Sequence, residues 1–131
     1  MVDTPEQWRC SCDIEIIFPG ISFDVLMQLA NNTPMTGYCV EDKSNLGWGC
    51  VIARAQSWDG DRRKLSNLIV EFVSPLRPLI QEATKYINAA VKIRLGIYYD
   101  TYTLTLSFDR QSIECLNDIS ADLEVSSYPS T

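Results

Sequence analysis

Hydrophobic and polar positions alternate most regularly between Val91 and Phe108. Val91, Ile93, Leu95, Ile97 and Tyr99 take turns with Lys92, Arg94, Gly96 and Tyr98, and Tyr102, Leu104, Leu106 and Phe108 with Thr103, Thr105 and Ser107. A period of two is that of a half-buried strand. A two-residue turn at Asp100-Thr101 would oppose Tyr99 to Tyr102, Ile97 to Leu104 and Leu95 to Leu106, with both apolar rows on one face. The pattern predicts an antiparallel hairpin over 91–108. Upstream, Ile14, Ile16 and Phe18 mark a first strand that Pro19-Gly20 stops.

Helical periodicity fills the gaps. Ser22 is placed to cap a short helix with Val25, Leu26 and Leu29 on its apolar stripe. Leu65, Leu68, Ile69, Phe72 and Leu76 follow the i, i+3, i+4, i+7 spacing of one helix face, with Asp61 as its expected N-cap. Pro75 and Pro78 lack an amide proton and crowd the preceding turn, so a second helical piece is expected from Pro78 through Leu79, Ile80, Ala83 and Ile87. Asp109 is placed to cap a third helix with Ile113, Leu116 and Ile119 inward, and Leu123 and Val125 alternate with Asp122 and Glu124 as a last strand. Trp48, Cys50 and Ile52 predict a strand with Trp48 in the core. Residues 31–46 read as a long polar loop, and Asp59-Gly60-Asp61 as a turn.

The string β-α-β-α-β-β-α-β predicts an α+β fold: a mainly antiparallel sheet with helices on one face, in a ferredoxin-like order. With 131 residues, one domain over 1–131 is expected, with 1–9 and 129–131 frayed at its ends. No apolar run is long enough to span a membrane, and the N-terminal residues lack the pattern of a signal peptide, so the expected compartment is the cytoplasm. Five cysteines, an odd number with a single residue between Cys10 and Cys12, fit reduced thiols.

Chemistry is constrained by what the chain lacks. It contains no histidine, which removes Ser-His-Asp and Cys-His nucleophile schemes and histidine-ligated metals. No phosphate loop is present, and Gly47-Trp48-Gly49 lacks the third glycine of a dinucleotide fingerprint. The carboxylate pairs Glu41/Asp42 and Asp59/Asp61 leave a two-acid mechanism open, but in polar turns they read as solvated caps. No catalytic residue, metal or cofactor is assigned, and the expectation is a binding protein rather than an enzyme.

Charge supplies the positive signal. The formal net charge is −6, which disfavours a nucleic-acid partner. From Asp100 onward six acids (Asp100, Asp109, Glu114, Asp118, Asp122 and Glu124) face Arg110 alone. Glu114 and Asp118 stack one turn apart on a helix, an unfavourable pair, since no Lys or Arg is expected to pair with either within the helix. These two, with Asp122 and Glu124, are candidate contacts for a basic partner. Glu41, Asp42, Trp58 and Asp59 form a second candidate set in predicted loops, Trp58 because tryptophan anchors interfaces. The basic run Arg62-Arg63-Lys64 reads as a solvated face.

Dispersed positions from Phe18 to Tyr128 resemble an uncharacterised bacterial domain-of-unknown-function family. They are the short helix ending at Leu29, Pro34 and Gly37, Trp48 and Ser57 around a strand, the helix closing with Leu76 and Pro78, Leu104 with Leu106, and the acidic Asp122–Tyr128 ending. Some members of that family accompany polymorphic toxin loci as candidate immunity proteins. The resemblance implies a cytoplasmic protein that neutralises a cognate basic protein toxin, with no catalytic residues to transfer. A small-ligand or regulatory module is the alternative reading, followed by a carboxylate enzyme.

Overall fold

The computed structural model describes residues 9–61, 64–99 and 106–129. Six strands and four α-helices follow in the order β1 (Arg9–Phe18), α1 (Phe23–Asn31), β2 (Tyr38–Asp42), β3 (Cys50–Arg54), β4 (Trp58–Asp61), α2 (Leu65–Val73), α3 (Arg77–Ala83), β5 (Lys92–Tyr99), α4 (Arg110–Asp118) and β6 (Asp122–Pro129). The fold is α+β, as the periodicities predict. Its sheet runs β2-β3-β1-β5-β6, with β4 also beside β1, and every pairing is antiparallel except β5 with β6.

One apolar core lies between the sheet and all four helices. It takes Cys10, Cys12, Ile14, Ile16 and Phe18 from β1, Ile93, Leu95 and Ile97 from β5, and Leu26, Leu68, Ile69, Phe72, Ile80 and Leu116 from the helices. Each strand contributes alternate residues, so the intervening side chains of every strand stand on the opposite face. Among the described residues the four α-helices bury their apolar sides in this core and leave the second face to the loop between β2 and β3, although Ile17 and Val51 on that face are buried.

The hairpin expectation is overturned. Both edges of β5 are occupied over Lys92–Tyr98, by β1 on one side and by β6 on the other. Residues 100–105 lie outside the described part, and Leu106–Asp109 is not strand. Alternation fixes which face a residue seeks but not which strand pairs with it. Residues 122–129 carry a similar alternation, and the intervening α4 lets them return parallel to β5 as a crossover unit. Leu106 and Phe108 pack against the core from outside the sheet.

Other local expectations shift as well. The loop expected over 31–46 contains β2, and the turn expected at Asp59-Gly60-Asp61 is β4. Asp61 therefore closes a strand instead of capping α2, whose N-cap position is Lys64, without a side-chain cap. The ends expected to fray include Arg9, paired with Asp61, and Pro129, paired with Tyr99; residues 1–8, Trp8 among them, and 130–131 lie outside the described residues, as do Arg62 and Arg63. Strands β3 and β4 behave as one long strand interrupted by a bulge. From Glu15 to Cys12 β1 advances three residues, while its partner advances five, from Ala53 to Trp58.

The caps at Ser22 and Asp109 form as expected, accepting from the amides of Val25 at 3.2 Å and Ser112 at 2.9 Å. Pro75 and Pro78 fall in the first turns of a short 3₁₀ segment and of α3, where the missing amide costs no hydrogen bond. On α4 the buried stripe is Ser112, Cys115, Leu116 and Ile119, and Ile113 is 57% exposed. A serine holds the inward place because it has buried partners: the Ser112 hydroxyl donates to the Ser66 carbonyl at 2.8 Å, and the Ser66 hydroxyl donates to the Ser107 carbonyl at 3.0 Å. This polar clasp ties α4 to α2.

Cys10, Cys12, Cys50 and Cys115 are buried and Cys39 is half-buried. Burial, then the neighbouring Cys10 and Asp13, pushes the Cys12 thiol up to about 12. With thiolate as the reactive form, native alkylation should label Cys39 first, and the other four only after denaturation. Mass spectrometry of a native time course checks this, and early labelling of Cys12 would contradict the packing of β1.

Candidate functional site

The helix-free face of the sheet is built by the polar half of each strand's alternation. In β1 the residues between the core positions are Ser11, Asp13, Glu15 and Ile17; in β5 they are Lys92, Arg94, Gly96 and Tyr98; in β6, Asp122, Glu124, Ser126 and Tyr128. Strand register arranges them in rows. One row runs Cys39, Ala53, Glu15, Arg94 and Glu124; the next carries Asp13, Gly96 and Ser126; a third carries Asp59, Ser11, Tyr98 and Tyr128.

The first row is an ion-pair network. Arg94 donates to Glu124 at 2.8 and 2.9 Å and lies 3.9 Å from Glu15, while Lys43 meets Glu15 at 3.1 Å and Glu41 at 3.6 Å. Lys92 reaches Glu124 at 3.1 Å. Lys92 and Arg94 hold the Glu124 carboxyl below its ordinary range. Lys43, although partly desolvated, is held above its ordinary value by Glu15 and Glu41. Both shifts favour the charged forms of Glu124 and Lys43 at neutral pH. Trp48 covers the row from the β2–β3 loop, its ring 4.0 Å from the Arg94 guanidinium and 5.3 Å from Lys43. The expected core position of Trp48 is thus corrected: β3 starts two residues later, and the indole stacks on a cation instead of entering the core.

Small residues make the middle row low. Gly96 and Ser126 floor a concave cleft of about 560 Å³ that Ala53 also lines from beyond β1. Trp48 and the ion pairs wall one side. On the other, Tyr98 and Tyr128 stack with centroids 5.3 Å apart. Asp13 rises between them and accepts hydrogen bonds from the Ser57 hydroxyl at the bulge and from the Tyr98 hydroxyl at 3.3 Å. Those contacts, led by the charge of Asp13, push the Tyr98 phenol above its ordinary value. Arg54 stands on the β3 rim, where the cleft meets a smaller one beside Tyr38 and Phe72.

The structure divides the residues singled out from the sequence. Glu41, Asp59, Asp122 and Glu124 share the sheet face. Asp42, next to Glu41 on a strand, points the other way and accepts from the Ser44 amide and hydroxyl at 3.0 and 2.6 Å, so that carboxylate pair is split. Trp58 packs half-buried against the core, with its ring over Gly60. Glu114 and Asp118 belong to the helical layer, and both have cationic partners: Arg110 within the same helix at 3.0 Å, and Arg77 of α3 at 3.5 Å. The expectation that Glu114 has no partner on its helix is corrected, because Arg110 lies one turn before it.

Sequence reasoning did not single out Asp13, Glu15, Lys43, Arg94, Tyr98 or Tyr128. For all but Lys43, which lies in the β2–β3 loop, their signal was the polar half of the alternation in β1, β5 and β6. Among the described residues no cluster of three or more Cys, Asp or Glu is placed to hold a metal ion, and no helix is long and apolar enough to cross a membrane. No family model, curated protein or solved structure matches this chain.

Proposed function

We propose that this chain is an immunity-type binding protein of the bacterial cytoplasm that captures a cognate basic toxin domain on the helix-free face of its sheet. The observation that carries this reading is the face itself: a broad array of fixed charges with exposed aromatic side chains, left uncovered by the helices. The acids Asp13, Glu15, Glu41, Asp59, Asp122 and Glu124 stand there with Lys43, Lys92 and Arg94, and Arg54 at the rim. The face is net negative on a chain of charge −6. Such a field speeds encounter with a basic partner, and Tyr98, Tyr128 and Trp48 offer the aromatic surface that supplies affinity at interfaces.

The cleft favours a second reading as a small-ligand module, since its volume lies within the roughly 300–1,000 Å³ common for such sites. Surface plasmon resonance against the protein encoded by the neighbouring gene decides between them. Reversing two charges of the sheet face, Glu41→Lys with Asp59→Lys, should slow association by about tenfold at low salt, as expected when steering is inverted. Glu114→Lys with Asp118→Lys, on the helical layer, should change it far less. Absence of any complex with wild-type protein removes the immunity reading, and equal effects of the two pairs remove the sheet face as its docking surface.

A further inference from the structure

We propose that the cleft between Asp13 and the Tyr98–Tyr128 pair is a receptor for a guanidinium group, the side chain of an arginine on the bound protein. The proposal rests on the protein-binding reading and names its anchor. The same sheet face already holds one guanidinium in this manner. Arg94 lies 4.0 Å from the Trp48 ring and donates from Nε and a terminal nitrogen to Oε1 of Glu124 at 2.9 and 2.8 Å, an aromatic face and a carboxylate acting together. The second aromatic and carboxylate set has the same ingredients without the cation. Tyr98 and Tyr128 are stacked and 38% and 48% exposed. Asp13 is exposed beside them and accepts from the hydroxyls of Ser57 and Tyr98; among the described residues no cation pairs with it.

The space between is kept by glycine. A Cβ at position 96 would meet the Tyr128 ring at 3.8 Å and occupy the floor beside Asp13. A flat guanidinium stacks on a phenol ring and donates two parallel hydrogen bonds to one carboxylate; an ammonium cannot do both. Arg54 lines the same cleft at its far rim, so a second cation enters from the Tyr128 side.

The test is a titration of isotope-labelled protein with N-acetyl-arginine amide, followed through the backbone amides of Gly96, Tyr98 and Tyr128. Saturable shifts in the millimolar range are expected, roughly the affinity one such anchor supplies. The lysine analogue should bind at least severalfold more weakly, and the glutamine analogue should give no saturable shift. Asp13→Asn and Tyr128→Ala should each weaken binding about tenfold, while Arg54→Gln should strengthen it. Both weakening sites are exposed, and denaturation midpoints confirm folding. If wild-type protein gives no saturable shift, or binds arginine and glutamine analogues alike, the proposal falls whatever the variants do. Arginine binding without capture of the neighbouring gene product keeps the cleft and removes the immunity reading. A protein complex that survives both Asp13→Asn and Tyr128→Ala keeps that reading and removes this anchor.

Discussion

Leu95→Ala should lower the unfolding free energy by about 3–5 kcal/mol, the upper part of the range for leucine truncation in a core. Leu95 is fully buried on β5, the strand flanked by β1 and β6 over Lys92–Tyr98. Its neighbours across the sheet are Ile14 and Val125, held in register by backbone hydrogen bonds, so they cannot move inward to fill the space. A loss of that size is a large share of the roughly 5–15 kcal/mol that holds a domain together. Urea denaturation followed by circular dichroism should show a lower midpoint with an unchanged slope. The adjacent Gly96→Ala supplies the contrast. Its new methyl meets only ordinary contact with Tyr128, and replacing a strand glycine removes an entropic penalty of about 0.5–1 kcal/mol. That variant should be as stable as the parent or slightly more so. A loss at position 95 below about 1 kcal/mol would mean that β5 is not the strand the core is built around.

The same two neighbours show what was legible in the sequence. Alternation in 92–99 gave the strand and its buried row, since burial of every second side chain leaves a direct trace. It pointed to the wrong partner, the 102–108 segment, because Leu104–Leu106 and Leu123–Val125 offer an apolar row equally well. The choice is made by topology: α4 sits between 109 and 119, its Ser112 bound to Ser66, and delivers β6 to the free edge of β5. Caps at Ser22 and Asp109 were readable because they depend on neighbours three residues away. The clasp between Ser66 and Ser112 was not, since its partners are 46 residues apart.

The cleft was hidden for a related reason. Its lining comes from five strands and the β2–β3 loop, and each polar residue taken alone reads as a solvated position. Asp13, Gly96 and Ser126 become one row only through the pairing registers of β1, β5 and β6. The acidic C-terminal part was legible as a charge excess, but charge counting cannot tell which acids are paired. Glu124 is tied to Lys92 and Arg94, and Glu114 to Arg110. Trp48 was misplaced because an aromatic before Cys50 and Ile52 extends the strand pattern backwards, whereas Gly49 breaks the strand there with φ +97°.

Gly49→Ala should therefore cost more than an exposed loop substitution, about 2–4 kcal/mol. A side chain at that positive φ carries strain of about 1–3 kcal/mol. The new Cβ would also fall 2.9 Å from the Phe18 carbonyl oxygen, a backbone atom at the end of β1 that cannot swing aside. Relief requires the β2–β3 loop to move, and that loop is closed by the Lys43 amide donating to the Gly49 carbonyl at 2.9 Å. Gly47→Ala isolates the strain alone. Gly47 has φ +78° but open space around it, so its cost should stay near 1 kcal/mol. The two variants also differ in what they do to the sheet face. With Gly49→Ala the loop should release Trp48 from Arg94, seen as altered shifts of the Trp48 indole and Arg94 side-chain resonances, whereas Gly47→Ala should leave them in place. Equal destabilisation by both substitutions would show that the Phe18 carbonyl does not press on position 49. Unchanged Trp48 and Arg94 resonances in a destabilised Gly49→Ala would show that this wall of the cleft is held by the ion pairs of Arg94 alone.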